Sequence, residues 1–216
     1  MPDNKIIHLQ VGPIITNCWI YQFSDKNAAI IDPGDEAEKI ISALEKSGLS
    51  PEYILLTHGH FDHIGAVTRL KKKYENVKIA IHRLDSGYLG ASAYETQIKS
   101  AQAALGDISL IDSLWPAGKD GIPDADILLE DGETIGPFSV MHLPGHTQGS
   151  AAFWDKKAGI IFTGDTLFKD GYGRTDLPGG SDTDIAASLR RLFNMDSAIA
   201  VYPGHGKTST IGRETR

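Results

Sequence analysis

Short apolar runs alternate with segments of helical spacing along the chain. The runs predict β-strands, because each is short and stops at a turn that contains Gly, Pro or Asp. One of them, ILLEDGETI, is predicted to form a hairpin that turns at Asp131-Gly132. In chain order the predicted strand segments are IIHLQV, NCWIYQF, AAIID, YILLTHGH, VKIAIH, ILLEDGETI, FSVMHLPGH, SAAFWD, GIIFTGD and AIAVYPGH.

Four segments between these strands have the spacing of helices. The predicted helical ranges are 35–47, 64–74, 84–106 and 182–193. Asp35 is expected to cap the first helix and Gly48 to end it, and Ser181 or Asp182 is expected to cap the last. Residues 112–126 are expected to form a loop. The alternation predicts one α/β domain over all 216 residues, with helices outside two packed sheets.

Four predicted strands run into short loops that contain glycine and carry a His or an Asp. These loops are His58-Gly59-His60, Pro144-Gly145-His146, Thr163-Gly164-Asp165 and Pro203-Gly204-His205. Loops at the ends of strands in a rigid sheet are favourable places for reactive groups. Glycine in such a loop permits sharp turns and close approach of the backbone to a ligand.

The side chains in these loops suit a metal ion. Imidazole and carboxylate together fit Zn²⁺, Fe or Mn, whereas Mg²⁺ and Ca²⁺ prefer oxygen alone. His58 and His60 are two residues apart, so in an extended segment both reach the same ion. Asp62 and His63 follow where the chain turns into a helix and can reach a second ion. The seven candidates are His58, His60, Asp62, His63, His146, Asp165 and His205, too many for one tetrahedral centre, so two ions that share a bridge are expected.

Composition excludes several partners. The net charge of −7 argues against binding to nucleic acid or an anionic membrane, both of which require clustered Lys and Arg. The densest basic run, Lys71 to Lys73, is interpreted as a solvated helix face. The single cysteine, Cys18, permits no internal disulfide and is expected to be a small core residue. The N-terminal segment has no long apolar core and no run approaches the roughly 20 residues of a membrane span, so a cytoplasmic location is expected.

Three histidines lie outside the strand-end loops. His8 lies in a strand that resembles an edge strand, His82 ends a strand with no companion nearby in sequence, and His142 lies within a strand. All three are interpreted as structural. The segment GHGKTST is similar to the end of a phosphate-binding loop, but that motif requires glycine at the position of Val201.

THGHFDH resembles the Thr-His-x-His-x-Asp-His signature of the metallo-β-lactamase superfamily. The segments IIDPGD, PGHT, FTGDTLF and PGHG resemble further landmarks of that family, in its order, over residues 30–206. The resemblance implies an αββα sandwich of two mixed sheets flanked by helices. It implies one metal held by His58, His60 and His146, a second held by Asp62, His63 and His205, and Asp165 as the bridge. It also implies that Asp32 supports the ligand loop through hydrogen bonds. Zn is the first expectation for the two divalent ions, with Fe or Mn as alternatives.

Within that superfamily, GDTLFKDGYGRTDLPGG and the chain length are similar to the short glyoxalase II-like branch, which lacks the usual C-terminal helical domain. This similarity implies hydrolysis of a glutathione-type thioester such as S-lactoylglutathione by a hydroxide that bridges the two metals. Asp62 and Asp165 are the predicted catalytic carboxylates. Arg174 and Lys207 replace the Lys and Tyr of longer glyoxalase II enzymes. Arg174, Tyr172 and Lys207 are predicted to bind substrate, Tyr88 to line the pocket and residues 84–126 to shape it.

Two other activities fit the same landmarks. Persulfide dioxygenases share a Gly-Arg-Thr-Asp stretch like residues 173–176 and hold one iron with the counterparts of His58, His146 and Asp165. Hydrolysis of a lactone or a β-lactam is also compatible with the fold. Metal content and oxygen uptake distinguish the dioxygenase from the hydrolases.

Overall fold

The computed structural model describes residues 6–106 and 121–215, and in these residues two six-stranded sheets are formed. The first sheet contains, in spatial order, β1 (Ile6–Val11), β2 (Thr16–Gln22), β3 (Asn27–Ile31), β4 (Ser50–Leu56), β5 (Lys78–His82) and β6 (Ile127–Leu129). Strands β1 to β3 are antiparallel, whereas β3 to β6 are parallel. The sheet is therefore mixed.

The second sheet is formed by the later strands. It contains β7 (Thr134–Ile135), β8 (Phe138–His142), β9 (Ala151–Asp155), β10 (Ile160–Gly164), β11 (Ala200–Pro203) and β12 (Ser209–Thr210). Only β10 and β11 pair in parallel; the other neighbours are antiparallel.

Helices cover the outer faces of both sheets. They are α1 (Ala37–Ser47), α2 (Phe61–Ile64), α3 (Val67–Lys73), α4 (Ala93–Leu105), α5 (Asp182–Phe193) and α6 (Ile211–Glu214), with 3-10 turns at Arg83–Tyr88 and Gly90–Ser92. Among the described residues, none of these helices has the length and apolar character needed to cross a bilayer.

Alternation along the strands produces the four layers. In β2, Trp19 and Tyr21 face the second sheet and pack in the cluster between the sheets, whereas Cys18 and Ile20 face α1 and α3. On the outer face of the second sheet, Val201 packs with Leu192 of α5. The predicted αββα sandwich and the assignment of Cys18 to the core are confirmed.

The predicted hairpin at Asp131-Gly132 is wrong. Strand β6 on one side of the turn pairs with β5 in the first sheet, and β7 on the other side pairs with β8 in the second. The chain crosses between sheets here because the backbone of the turn bonds to β8: Gly132 N–H donates to Val140 O at 3.0 Å. A turn sequence predicts a change of direction, but it does not specify the strand with which the next segment pairs.

Three of the helix predictions also need correction. The segment 84–106 is helical only from Ala93 onward, since the chain up to Ser92 forms 3-10 turns. The predicted helix 64–74 corresponds to α3, which begins only at Val67, whereas Ile64 is the last residue of the preceding α2. Asp35 does not cap α1, because its carboxylate accepts from the adjacent Glu36 N–H and Glu36 itself precedes the helix.

The helix termini at Gly48 and Ser181 are confirmed. Gly48 ends α1 in the left-handed conformation, and the Ser181 hydroxyl accepts from Asp184 N–H at the start of α5. Of the predicted loop 112–126, residues 121–126 contain no helix or strand and residues 112–120 lie outside the described residues.

At one edge of the sandwich, hydrogen bonds join the two sheets directly. Ala151 N–H at the start of β9 donates to Thr57 O after β4 at 2.8 Å. Asn17 N–H in β2 donates to Gly204 O at 2.7 Å, and its side-chain amide donates to Pro203 O at 3.0 Å. These bonds align the ends of strands from both sheets at the edge where the predicted ligand loops emerge.

Candidate metal centre

All seven predicted metal ligands converge at this edge. Five lie in the four loops that follow β4, β8, β10 and β11, whereas Asp62 and His63 lie in α2, directly after the first of these loops. The seven residues form three overlapping groups in which the potential ligand atoms lie within 4.8 Å of one another: His58, His60 and His146; His58, His63 and Asp165; Asp62, His63 and His205. The structure therefore brings together every ligand that the strand-end pattern and the family resemblance predicted.

Asp165 lies between the other ligands. Its Oδ1 is 3.4 Å from His63 Nε2, and its Oδ2 is 3.7 Å from His146 Nε2 and 3.6 Å from His205 Nε2. The carboxylate thus reaches residues from both predicted metal positions. Asp62 Oδ2 is 3.3 Å from His205 Nε2 and belongs to one side only.

The side chains present fit divalent ions. Nε2 of His58 is buried without a hydrogen-bond partner among the described residues. Two ring nitrogens, His60 Nδ1 and His146 Nε2, lie only 2.9 Å apart. A Cβ at Gly204 would lie 2.2 Å from Asp165 Oδ1, so the backbone is kept clear of the Asp165 carboxylate. The imidazole and carboxylate donors are those of Zn²⁺, Fe and Mn sites.

Asp32 orients two of the histidines. Its carboxylate accepts from Thr57 N–H at 2.8 Å and from the Thr57 hydroxyl at 2.7 Å, and it lies 3.1 Å from His63 Nδ1. Because the Thr57 hydroxyl donates to Asp32, it accepts from His58 Nδ1 at 3.1 Å. Both rings therefore direct Nε2 toward the centre. This contact network agrees with the supporting role that the resemblance implied for Asp32.

The backbone of Asp32 is itself unusual. Its φ of 51° is in the left-handed region, which costs a non-glycine residue about 1–3 kcal/mol. The side chain is 1% exposed and every hydrogen bond it accepts leads to the ligand loop. The strained conformation is thus coupled to the orientation of the ligands.

A backbone carbonyl orients His146. Its Nδ1 donates to the carbonyl oxygen of Arg174 at 2.7 Å, which leaves Nε2 for a ligand. The guanidinium of Arg174 points elsewhere and pairs with both carboxylate oxygens of Asp176, each at 2.7 Å. Arg174 therefore contributes to the centre through its main chain, in addition to the side-chain role predicted for it.

Protonation differs between the two sides of the centre. Burial and the nearby histidines lower the pKa of His58 well below its ordinary value, and burial together with His146 lowers the pKa of His60 to about 3. Burial also disfavours charge on His63, but Asp62, Asp165 and other carboxylates outweigh it and raise the pKa to about 10. His58 and His60 are consequently neutral and ready to bind a cation, whereas His63 carries a proton in the metal-free protein.

The pKa values of Asp62 and His205, two neighbours of His63, are shifted as well. Burial alone would raise the pKa of Asp62, but His63 and His205 lower it below its usual range. Burial would lower the pKa of His205, yet the Asp62 and Asp165 carboxylates raise it. A divalent ion would replace these protons as the positive charge that balances the carboxylates.

The predicted substrate-binding residues are at the surface beside the centre. Tyr172 is 55% exposed, and Lys207 is also exposed. Tyr88 is buried, with its ring perpendicular to that of His60 and 5.7 Å away. The binding of substrate by Arg174, Tyr172 and Lys207 stays a prediction.

The three remaining histidines each make contacts within the fold. His8 stacks on Trp19 at 4.1 Å and contacts Asn17 Oδ1 at 2.7 Å. His82 is not without a companion, because its ring stacks on His142 at 4.0 Å with an angle of 7°. The two rings come from different sheets, so sequence separation concealed the pair.

Sequence reasoning missed the supporting roles of Thr57 and Asp85. The THGHFDH motif contains Thr57, but the motif does not indicate that its hydroxyl joins Asp32 to His58. Asp85 follows β5 in a 3-10 turn and has three hydrogen-bond donors around its buried carboxylate. Burial raises its pKa, and the donated hydrogen bonds oppose that shift. A single Asp after a strand is too common in sequences to indicate either its hydrogen bonds to the ligand loops or its raised pKa.

The fold and the ligand arrangement agree with the comparisons. The Metallo-beta-lactamase superfamily matches residues 11–205, and the chain belongs to this superfamily. A hydroxyacylglutathione hydrolase, GloC of Haemophilus influenzae, is 38% identical over 214 residues, with 97% of this chain and 96% of that protein covered. Family membership and this relative support a metal-dependent hydrolase.

Two solved structures extend the similarity. BLEG-1, described as a B3 metallo-beta-lactamase, superposes with a TM-score of 0.82 at 35% identity, over 97% of this chain and 96% of that one. TTHA1623 in a di-iron-bound form superposes with a TM-score of 0.79 at 36% identity, over 97% of each chain. The superfamily fold is therefore shown.

We expect Gly204→Ala to lower the metal content of the purified protein. The added Cβ would lie 2.2 Å from Asp165 Oδ1 and 2.7 Å from His63 Cε1, so the Asp165 carboxylate must move. Gly171→Ala is the matched control, because a Cβ there meets no atom within 4 Å. Elemental analysis should give fewer metal ions per chain for Gly204→Ala only. Equal metal content in both variants would contradict this description of the centre.

The metal-free protein is expected to lose stability as the pH rises from 6.5 to 10. The pKa of His63 is about 10 in the fold and about 6.5 in the unfolded chain, so the folded state binds the extra proton in this range. That contribution is fully present below pH 6.5 and is lost as the pH passes about 10. Urea unfolding should show a smaller decrease over this range for His63→Gln. The same slope in both proteins would argue against the proton on His63.

Proposed function

We propose that this protein hydrolyses a glutathione-type thioester, such as S-lactoylglutathione, with two divalent metal ions, zinc being the first candidate. The observation that carries the proposal is the arrangement of Asp165, which reaches His63, His146 and His205 from a position between two ligand groups. The similarity to a hydroxyacylglutathione hydrolase over nearly the whole of both chains supports the thioester as substrate.

The chemistry divides between the ions and the protein. Divalent ions at this centre would lower the pKa of bound water toward 7 and polarise the thioester carbonyl. His58, His60 and His146 would hold one ion, whereas Asp62, His63 and His205 would hold the other, with Asp165 shared. A thiolate leaves readily without a strong general acid, so the protein needs to supply orientation more than proton transfer.

Asp62 is the residue best placed to orient the attacking water. Its Oδ2 accepts from the Thr16 hydroxyl at 3.1 Å, which restricts rotation of the carboxylate. The side chain is 15% exposed, so solvent reaches it, whereas His63 beside it is fully buried. The lowered pKa of Asp62 keeps the carboxylate ionised, and it can therefore accept a hydrogen bond from water.

The expected result for purified protein is two metal ions per chain and hydrolysis of S-lactoylglutathione. Elemental analysis gives the stoichiometry, and loss of the thioester absorbance gives the rate. Removal of the ions with a chelator should abolish hydrolysis, and addition of zinc should restore it. Gly171→Ala should retain the wild-type rate, because the site has room for its methyl group.

Other outcomes distinguish the competing activities. Full metal occupancy with no rate above background would contradict the thioester. One iron per chain and oxygen uptake with glutathione persulfide would indicate the dioxygenase instead. The similarity to BLEG-1 favours a test with a chromogenic cephalosporin, and turnover of that compound alone would indicate β-lactam hydrolysis. Two iron ions with thioester turnover would change only the metal, as the di-iron form of TTHA1623 illustrates.

Arg174 is proposed to pair with a carboxylate of the substrate in place of Asp176. Arg174→Ala is expected to raise KM roughly fivefold with little change in kcat, which corresponds to about 1 kcal/mol, the upper end for an exposed ion pair. Asp176→Asn is expected to lower KM, because it frees the guanidinium. The control is Arg213→Ala, which breaks the comparably exposed pair with Asp170. Unchanged kinetics in Arg174→Ala would remove this contact from the proposal.

A further inference from the structure

Asp85 lies directly behind the predicted metal centre, and its hydrogen bonds among the described residues go to the ligand loops and not to the ligand side chains. It is 1% exposed and lies in the 3-10 turn that follows β5. Its Oδ2 accepts from Gly59 N–H at 3.0 Å and from the Thr147 hydroxyl at 2.8 Å, and its Oδ1 accepts from Gly149 N–H at 2.7 Å. Three donors of different residues thus converge on one buried carboxylate.

These donors belong to two separate ligand loops. Gly59 lies between His58 and His60 in the loop after β4. Thr147 directly follows His146 in the loop after β8. The three histidines form one of the ligand groups, so Asp85 joins the two loops that supply that group.

The surroundings of Asp85 are arranged for close contact. A Cβ at Gly149 would lie 2.6 Å from the Asp85 carboxyl carbon, so only glycine permits this approach without movement. The Ser150 hydroxyl lies 2.7 Å from the Thr147 hydroxyl and accepts from Thr147 N–H at 3.0 Å. Since the Thr147 hydroxyl donates to Asp85, the Ser150 hydroxyl donates to it in turn. The direction of each hydrogen bond is therefore determined.

The Gly59 peptide is held on its other side as well. The Gln97 amide from α4 donates to Gly59 O, and the Tyr88 ring packs where a Gly59 side chain would be. Both polar groups of this residue are thus bonded to the segment between β5 and β6. Free rotation of the chain between His58 and His60 is prevented.

The second buried carboxylate at this edge has different contacts. Asp32 bonds to His63, which belongs to the other two ligand groups, and to Thr57, through which it reaches His58. Among the described hydrogen bonds, those of Asp85 go instead to Gly59 in the loop after β4 and to Thr147 and Gly149 in the loop after β8. We infer that Asp85 is a positioning residue that sets the geometry of the metal position formed by His58, His60 and His146. This inference rests on metal binding in the proposed function and is independent of the substrate.

Asp85→Asn tests the inference because asparagine cannot serve all three donors. Gly59 N–H and Gly149 N–H approach opposite oxygens, so an amide group must point its own N–H at one of them. Asp155→Asn is the matched control. That carboxylate is also buried and has three donors, but Lys157 N–H and Ala158 N–H share one oxygen and a Tyr21 hydroxyl meets the other. Its amide oxygen can therefore keep both backbone bonds.

The measurement is zinc affinity by competition with a chelator, in the otherwise unchanged chain and in a His205→Gln background. His205 is a ligand of the other position only, so this background isolates the position of interest. Asp85→Asn is expected to weaken zinc binding there about 10- to 100-fold, the usual effect of losing a group that orients a ligand. Asp155→Asn is expected to bind zinc within about twofold of its parent. The absorption spectrum of the cobalt-substituted protein should change for Asp85→Asn and not for Asp155→Asn.

A milder pair of variants covers the case in which Asp85→Asn does not fold. Thr147→Val removes one donor and leaves both backbone donors, so zinc binding should weaken less than in Asp85→Asn, at the same position. Thr147→Ser keeps the hydroxyl and should restore the affinity. Equal affinities for Thr147→Val and Thr147→Ser, or equal weakening in Asp85→Asn and Asp155→Asn, would overturn the inference. A wild-type protein that binds neither zinc nor another divalent ion would instead refute the proposed function.

Discussion

The metal centre depends on hydrogen bonds that align two separate sheets at one edge. Packing between Trp19, Tyr21 and their apolar partners holds the sheets together, but hydrophobic packing has no direction and leaves the strands free to slide by small amounts. The bonds from Ala151 N–H to Thr57 O and from Asn17 to Gly204 O are directional. Because the ligands come from both sheets, the distances between ligand atoms depend on this alignment of the sheets.

Buried carboxylates extend the alignment from the backbone to the ligand side chains. Asp32 and Asp85 are each 1% exposed, and each accepts hydrogen bonds at both carboxylate oxygens. Removing a carboxylate from water is costly unless such bonds compensate. Once compensated, the group is rigid, since any rotation would leave a donor without a partner. The hydrogen bonds that allow these carboxylates to be buried therefore also fix the positions of the ligand loops.

The reactive edge was the part of the structure best predicted from the sequence. Strand-end loops with His and Asp are recognisable from the local sequence, because an apolar run ends near a glycine and a candidate ligand follows, as at His146 and His205. Helix termini at Gly48 and Ser181 were equally local and were predicted correctly. In each case the physical cause lies within a few residues of the effect.

The features that were predicted wrongly or not at all depend on residues that are far apart in sequence. The turn at Asp131-Gly132 was assigned to a hairpin because its two strands are adjacent in sequence, yet their partners are β5 and β8. The stack of His82 on His142 joins residues from different sheets. Asp85 bonds to Gly59 and to the loop after β8, 26 and 62 or more residues away in sequence. Long-range pairing and packing decide these features, and no local pattern encodes them.

The contacts around Gly59 have a consequence for how this architecture can vary. The segment between β5 and β6 holds the centre largely through main-chain atoms: Asp85 accepts from backbone N–H groups and Gln97 donates to a backbone carbonyl. A peptide group is the same whatever side chain it carries. A replacement segment of another length or shape would preserve the ligand geometry if it supplied an acceptor in the place of the Asp85 carboxylate and a donor in the place of the Gln97 amide. Changes in this segment are thus compatible with an unchanged arrangement of the candidate metal ligands, provided that these main-chain contacts are kept.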